Sequence, residues 1–99
     1  MISIDLQTGF NGEPIEIRIG DELVFRKEHI RTKKLIGVAD TIILEKFDRR
    51  EGVSIVVKVG DFPPYEISLN EASKGKYIGL SLADGKVSHL ISEHPFGYG

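Results

Sequence analysis

The densest group of chemically active side chains in this sequence is basic and lies in residues 26–34. The candidate binding residues of this segment are Arg26, Lys27, His29, Arg31, Lys33 and Lys34. Several ammonium and guanidinium groups on one segment can neutralise phosphates and release counterions, which indicates an anion-binding or nucleic-acid-binding site. The alternative is a charged edge strand and loop, in which lysines keep other chains from pairing with exposed backbone. No aromatic residue is interleaved to stack bases, which disfavours nucleic acid as the partner.

A second candidate is the C-terminal run 93–99, which places Phe96 and Tyr98 on a tail without a strand pattern. Large apolar side chains left in water favour association. The tail therefore either folds back onto the body and plugs its end, or docks on a neighbouring chain. Both alternatives make Phe96 and Tyr98 candidate binding residues, with a protein partner or a second copy of the chain as the ligand.

The sequence contains no recognisable catalytic or metal-binding constellation. His29, His89 and His94 are not at metal-ligand spacing, no aspartates are spaced as in a calcium loop, and cysteine is absent. Neither a serine-nucleophile elbow nor a phosphate-binding glycine loop occurs. We therefore expect no cofactor, no metal and no enzymatic activity. If the protein were an enzyme, His89 or His94 would be its general base.

Length and charge indicate one small domain spanning residues 1–99. A chain of 99 residues buries roughly two thirds of its surface on folding, which is enough for one core without disulfides. The formal charge of −2 excludes a molecule that binds nucleic acid through its net field. The start of the sequence lacks a signal-peptide pattern and no run is long enough to span a membrane, so we expect a cytoplasmic protein without a membrane partner.

The elements that must position these residues are predicted to be strands. The chain has 13 isoleucines and 7 valines against 3 alanines, and β-branched residues favour pleated sheets. Apolar and polar residues alternate in 2–6, 15–19 and 53–59. We predict an all-β fold, a two-sheet antiparallel β-sandwich of seven to eight short strands, immunoglobulin-like or transthyretin-like, without a long helix. Asn70 and Gly75 are predicted to begin and end a single helical turn.

Two hairpins can be predicted to the residue. The pair Asp84-Gly85 suits a two-residue turn, which places Leu82 opposite Val87 and Leu80 opposite His89. His89 then lies on the apolar face, where a satisfied structural histidine is commoner than a catalytic one.

For the hairpin around Gly20-Asp21, a two-residue loop would pair Ile19 with Glu22. We prefer a three-residue loop, which pairs Ile19 with Leu23 and also sets Glu16 opposite Arg26 as an oppositely charged pair. In the chain that follows, residues 55–57 are predicted to belong to an inner strand. The strand that begins at Tyr65, after two prolines, is predicted at a sheet edge.

Residues 10–59 have an order of segments that resembles a known plan. A strand over 14–19 is followed by Gly20-Asp21, a second strand, Thr32, the segment 37–39 and a glycine-led strand over 52–57. This order resembles the transthyretin-like or carboxypeptidase-regulatory-like sandwich domains, although the insertion over 27–34 departs from that plan. The resemblance implies a folding, binding or assembly module and assigns no functional residue.

Together these patterns predict a small non-enzymatic binding or assembly module that acts through sheet edges or the aromatic tail. The alternative is anion or nucleic-acid binding through residues 26–34.

Overall fold

The computed structural model describes residues 1–33, 36–45 and 52–98. In these ranges the chain forms eight strands and one short helix. In chain order they are β1 (Ile2–Leu6), β2 (Asn11–Ile19), β3 (Glu22–Arg31), β4 (Asp40–Leu44), β5 (Ser54–Val59), β6 (Tyr65–Ser68), α1 (Leu69–Gly75), β7 (Tyr77–Ala83) and β8 (Lys86–Ser92).

The strands form two four-stranded sheets, which confirms the predicted all-β sandwich. The first sheet has the order β4-β1-β7-β8 and the second has the order β3-β2-β5-β6. Neighbouring strands are antiparallel except β1 and β7, which are parallel. A parallel pair cannot be joined by a tight turn, and here the intervening chain passes through the whole second sheet. As predicted, β5 is an inner strand and β6 is an edge strand.

The core lies between the sheets and follows the predicted alternation. Inward-facing residues of the central strands are almost completely buried; they include Ile2, Ile4, Leu6, Ile15, Ile17, Ile19, Ile55, Val57, Val59, Ile78 and Leu80. Burying an aliphatic side chain of this size contributes about 1.5–3 kcal/mol, so this layer is the main source of stability. No helix in the described ranges is long and apolar enough to cross a membrane.

The β7–β8 hairpin has the predicted register. Leu82 pairs with Val87 and Leu80 pairs with His89. Asp84 and Gly85 both have positive φ, at 52° and 72°. Two successive positive φ values are what a type I′ turn requires, and this turn matches the twist of the strands it joins.

The β2–β3 hairpin differs from its prediction near the turn. Glu16 pairs with Arg26 as expected, but Ile19 pairs with Glu22 and not with Leu23. The connection is the two-residue turn Gly20-Asp21, in which Gly20 has a φ of +58°. A glycine with positive φ at the first central position is typical of a type II′ turn. A bulge in β3 then restores the predicted pairing further along.

Helix α1 also begins and ends differently from the prediction. Its N-cap is Ser68 and not Asn70, and the left-handed residue after it is Lys76, with a φ of 75°. Gly75 belongs to the last turn of the helix, where a Cβ would overlap Cγ2 of Ile91 on β8. Gly75 therefore permits close packing of the helix on β8, and its role is not that of a C-terminal cap.

The two long sides of the sandwich are closed in different ways. On one side, α1 packs against the edge strands β6 and β8. On the other, the ammonium group of Lys27 on β3 lies 3.3 Å from the carboxylate of Asp40 on β4. The ends of the sandwich are formed by loops, and one of these ends carries the candidate site.

Candidate functional site

An open groove of about 690 Å³ lies where β1 crosses to β2 and β3 ends. Its lining residues are Thr8, Gly9, Phe10, Asn11, Arg31, Thr32 and Gly37. This volume is within the range of about 300–1,000 Å³ that is usual for small-molecule sites.

Thr32 fixes the loop that forms one wall of the groove. Its amide donates to the carbonyl of Phe10 at 2.9 Å, and the amide of Phe10 donates to Oγ1 of Thr32 at 3.1 Å. The same hydroxyl donates to the carbonyl of Gln7 at 2.6 Å. The side chain of Phe10 is 4% exposed and anchors the loop in the core. The wall is therefore held by reciprocal hydrogen bonds on one side and by apolar burial on the other.

Gly9 lets this loop lie directly against β7. The amide of Leu82 donates to the carbonyl of Thr8 at 2.9 Å. At the next residue, Gly9 has a φ of +87°, and a Cβ there would overlap the carbonyl oxygen of Leu82. Only glycine combines this conformation with this close approach.

Arg31 provides the charge of the groove. Its side chain crosses the bulged backbone at Gly12, and its Nη1 donates to Oδ1 of Asn11 at 3.1 Å. Among the described residues, no carboxylate lies within 4.0 Å of the guanidinium. A guanidinium group carries five donors in a planar fork that matches carboxylate and phosphate oxygens. The Arg31 side chain is thus oriented by a neutral partner that does not cancel its charge.

The other cations of the basic segment are placed differently. Arg26 lies 3.3 Å from the carboxylate of Glu28, and Lys27 is paired with Asp40 as described above. The ring nitrogen Nδ1 of His29 lies 3.2 Å from the carbonyl oxygen of Gly12. Lys33 forms a β-bridge with Val38, and Lys34 lies outside the described residues. The basic residues of the segment 26–34 therefore do not form one patch. Among the described ones, Arg31 is the residue that lines the groove.

Glu16 and Arg26 lie opposite each other in the β2–β3 register, as predicted, but they do not form an ion pair with each other. The carboxylate of Glu16 accepts from Nε of Arg18 at 3.0 Å, two residues along the same strand. Arg26 turns to Glu28 instead, so both ion pairs run along strands and not between them.

A smaller concavity of about 170 Å³ lies beside Arg26, Lys27, Lys58 and Gly60. It is also lined by Glu16 and Glu28, whose negative charges offset its positive charge. Its volume is below the usual range for ligand sites, so we regard the larger groove as the candidate site.

The aromatic tail folds back onto the outer face of β1, next to the groove. The hydroxyl of Tyr98 donates to Oδ2 of Asp5 at 2.6 Å and accepts from Nε2 of Gln7 at 2.9 Å. The amide of Gln7 lies over Gly79, where a Cβ would overlap it. A Cβ on Gly37, which lines the groove, would be 3.9 Å from Cδ1 of Tyr98. Tyr98 and Arg31 were predicted as separate candidates. The structure places Tyr98 beside Gly37, which lines the same groove as Arg31.

The tail does not plug the apolar core. Phe96 is half-buried and Tyr98 remains 40% exposed. Within the single chain the tail folds back onto β1, and docking on a neighbouring chain, the other expected outcome, stays a prediction.

Tyr98 is expected to ionise at higher pH than a free tyrosine. Burial, together with the hydrogen bond to the Asp5 carboxylate, raises the pKa of Tyr98 from 10.0 to about 12. Because the folded pKa is raised, the contact stabilises the tail fully below pH 10.0 and is lost as the pH rises through about 12. NMR titration of the Tyr98 Cζ signal measures this directly. A midpoint near that of free tyrosine would contradict the contact, and Tyr98→Phe should remove the signal but leave Tyr65 and Tyr77 unchanged.

The sequence does not reveal the groove, because residues 8–12 contain no recognisable binding motif. The available signals were the two glycines Gly9 and Gly12 and, separately, the threonine Thr32 that follows the basic strand. These signals are too weak to predict the contact of the loop with β7 or its hydrogen bonds to Thr32.

Comparison with protein-family models, curated proteins and solved structures found no match to this chain.

Proposed function

We propose that this protein is a small non-enzymatic binding module that holds the carboxylate or phosphate group of a ligand in the groove beside Arg31. The observation that carries this proposal is the Arg31 guanidinium, oriented by Asn11 in a groove of about 690 Å³ without a described carboxylate beside it. Guanidinium groups are the usual partners of planar anions in proteins, because their donor fork matches two anionic oxygens.

Rigidity of the surrounding backbone supports the proposal. The hydrogen bonds of Thr32 hold the loop 7–10 in one conformation, so little ordering is required when a ligand enters. A preorganised site retains more of the interaction energy as affinity. Thr8 lines the same groove, and a threonine hydroxyl is able to donate a hydrogen bond to an anionic oxygen.

The aromatic tail supports the proposal by its position. Tyr98 lies against Gly37, which lines the groove, and is tied to β1 by Asp5 and Gln7. A ligand that extends from the groove past Gly37 would therefore reach the ring of Tyr98. The basic segment and the tail then serve one site.

Arg31→Gln should weaken binding of pyrophosphate or citrate by about tenfold or more. A hydrogen bond to a charged group contributes about 1.5–3 kcal/mol, and about 1.4 kcal/mol corresponds to a factor of ten. Arg26→Gln is the matched control, since it removes the same charge from the same strand outside the groove. Isothermal titration calorimetry at constant ionic strength should show that the control retains the native affinity.

Two outcomes of this experiment would contradict the proposal that the groove binds anions. Absence of binding by the native chain to either anion would remove the proposed function. Equal losses of anion affinity in Arg26→Gln and Arg31→Gln would indicate that binding depends on the summed positive charge of residues 26–34 and not on the groove. The alternative of polyanion or nucleic-acid binding predicts that second outcome, together with retention on a heparin column that falls with salt.

Assembly through a sheet edge is the second candidate, and Leu90 favours it. Leu90 lies on the edge strand β8, is 65% exposed and is paired with Gly79, which has no side chain to cover it. Ile43 on the opposite edge of the same sheet is 60% exposed. Exposed apolar side chains on an edge strand favour association with another chain.

Leu90→Lys should lower the mass measured by light scattering if this edge mediates assembly. Leu23→Lys is the control, because Leu23 is 43% exposed but belongs to the second sheet. A chain ending at Glu93 tests the tail in the same way. A monomeric mass for the native chain would exclude assembly by either route.

A further inference from the structure

Three polar side chains from three elements meet where α1 closes the sandwich between β6 and β8. The hydroxyl of Tyr65 lies 2.5 Å from Nδ1 of His89, and Nε2 of His89 lies 3.8 Å from Oε1 of Glu71. The two rings meet edge to face, with centroids 5.5 Å apart and an interplanar angle of 65°. The imidazole is therefore hydrogen-bonded to the phenol, and its other nitrogen faces a carboxylate beyond hydrogen-bond distance.

The strand registers place this cluster at the opening between the sheets. Tyr65 pairs with Val57 and His89 pairs with Leu80, and both partners face the core. Tyr65 and His89 therefore point inward from the edges of opposite sheets. The side chain of His89 is 22% exposed and that of Glu71 is 58% exposed. The cluster thus runs from the half-buried phenol outward to a carboxylate in contact with solvent.

The neighbours of the imidazole determine which nitrogen carries the proton. A carboxylate beside Nε2 stabilises a proton on that nitrogen, which leaves the lone pair of Nδ1 free to accept the Tyr65 hydroxyl. A hydroxyl donating to a histidine whose other nitrogen faces a carboxylate is the arrangement that activates nucleophiles in acyl and phosphoryl transfer. Here the hydroxyl belongs to a tyrosine.

We infer that Tyr65 is a base-activated nucleophile that accepts an electrophilic phosphoryl group. The phenol oxygen attacks phosphorus, a P–O bond forms and the bond from phosphorus to its leaving group breaks. The leaving group departs with the bonding electron pair. The phenol proton passes to Nδ1 of His89, the imidazolium is stabilised by Glu71, and the proton is then released to water. This site is separate from the groove and does not depend on anion binding at Arg31.

The probe for this site is diisopropyl fluorophosphate, from which fluoride is the leaving group. The native chain has three tyrosines, and Tyr77 is half-buried like Tyr65 but has no described histidine partner. Peptide-resolved mass spectrometry over time gives a labelling rate for each. We expect Tyr65 to be labelled about 100-fold faster than Tyr77, which is within the usual contribution of a positioned general base.

Two substitutions separate reactivity from packing. His89→Gln should reduce the rate at Tyr65 to that of Tyr77, whereas Glu71→Gln, at an exposed helix position, should reduce it severalfold without affecting the fold. Tyr65→Phe confirms the assignment of the labelled peptide. In each variant the rate at Tyr77 reports whether general exposure has changed, and circular dichroism reports whether the chain is folded.

Equal rates at Tyr65 and Tyr77 in the native chain would overturn the inference. A folded His89→Gln variant that keeps the native rate at Tyr65 would also overturn it. If His89→Gln does not fold, the native rates and the Glu71→Gln variant decide the question, and a native rate in the latter would count against the proposed proton path.

Discussion

Gly9→Ala should lower the free energy of unfolding by about 3 kcal/mol or more. A left-handed conformation costs a residue other than glycine roughly 1–2 kcal/mol, and forcing atoms into a packed region costs about 1–3 kcal/mol more. Gly9 meets both conditions, with a φ of +87° and a Cβ position that overlaps the carbonyl oxygen of Leu82. The overlapped atom is backbone, so it cannot rotate away as a side chain would. Urea denaturation of the two proteins measures the difference.

Gly52→Ala separates the two contributions. Gly52 has a similar φ of +82°, but within the described part of the chain nothing lies within 4 Å of the position that a Cβ would occupy. The control should therefore lose only about 1–2 kcal/mol. Equal losses in the two variants would show that the loop does not lie against β7 as described, and the wall of the groove would have to be placed elsewhere.

Thr32→Val should destabilise the protein by about 2–4 kcal/mol while keeping the shape of the side chain. The substitution leaves the amide of Phe10 and the carbonyl of Gln7 without their partner, Oγ1 of Thr32. A polar group left unsatisfied in a partly buried site costs about 1–3 kcal/mol. Thermal and urea unfolding give the loss, and anion affinity should fall as well because this hydroxyl fixes the groove.

Thr41→Val is the matched control for that prediction. Thr41 is an exposed residue of β4, and no described hydrogen bond uses its hydroxyl. Its replacement should change stability by less than about 0.5 kcal/mol, as is usual at the surface. Thr32→Ser, which retains the hydroxyl, should preserve anion binding. A Thr32→Val loss no larger than that of Thr41→Val would contradict the proposed hydrogen bonds.

The sequence predicts those parts of the fold that depend on neighbouring residues. Asp84 and Gly85 determine a type I′ turn, so the register of the β7–β8 hairpin follows from the pair alone. The predicted loop length of the β2–β3 turn was wrong. The register there depends on a bulge in β3, and the bulge depends on the facing strand, so the local sequence pattern does not predict it. The parallel pairing of β1 with β7 joins segments about seventy residues apart, and turn chemistry carries no information about such a pairing.

The candidate sites were likewise predictable only where neighbouring residues determine them. The sequence identifies Arg31 as one of several cations, but the carboxylates that pair with Arg26 and Lys27 could not be assigned from spacing. Glu28 is a near neighbour of Arg26, whereas Asp40 reaches Lys27 from the opposite sheet. The hairpin register correctly places His89 on the inner face. Its partners Tyr65 and Glu71 come from other elements and could be found only in the folded chain.

The most direct test of the proposed site is to map anion binding residue by residue. Pyrophosphate added to the ¹⁵N-labelled native chain should shift the amide signals of Gly9 and Gly37, which line the groove. The amide of Gly60, which lines the smaller concavity beside Arg26 and Lys58, should keep its position. Shifts confined to Gly60, or no saturable shift at Gly9 and Gly37, would contradict the account.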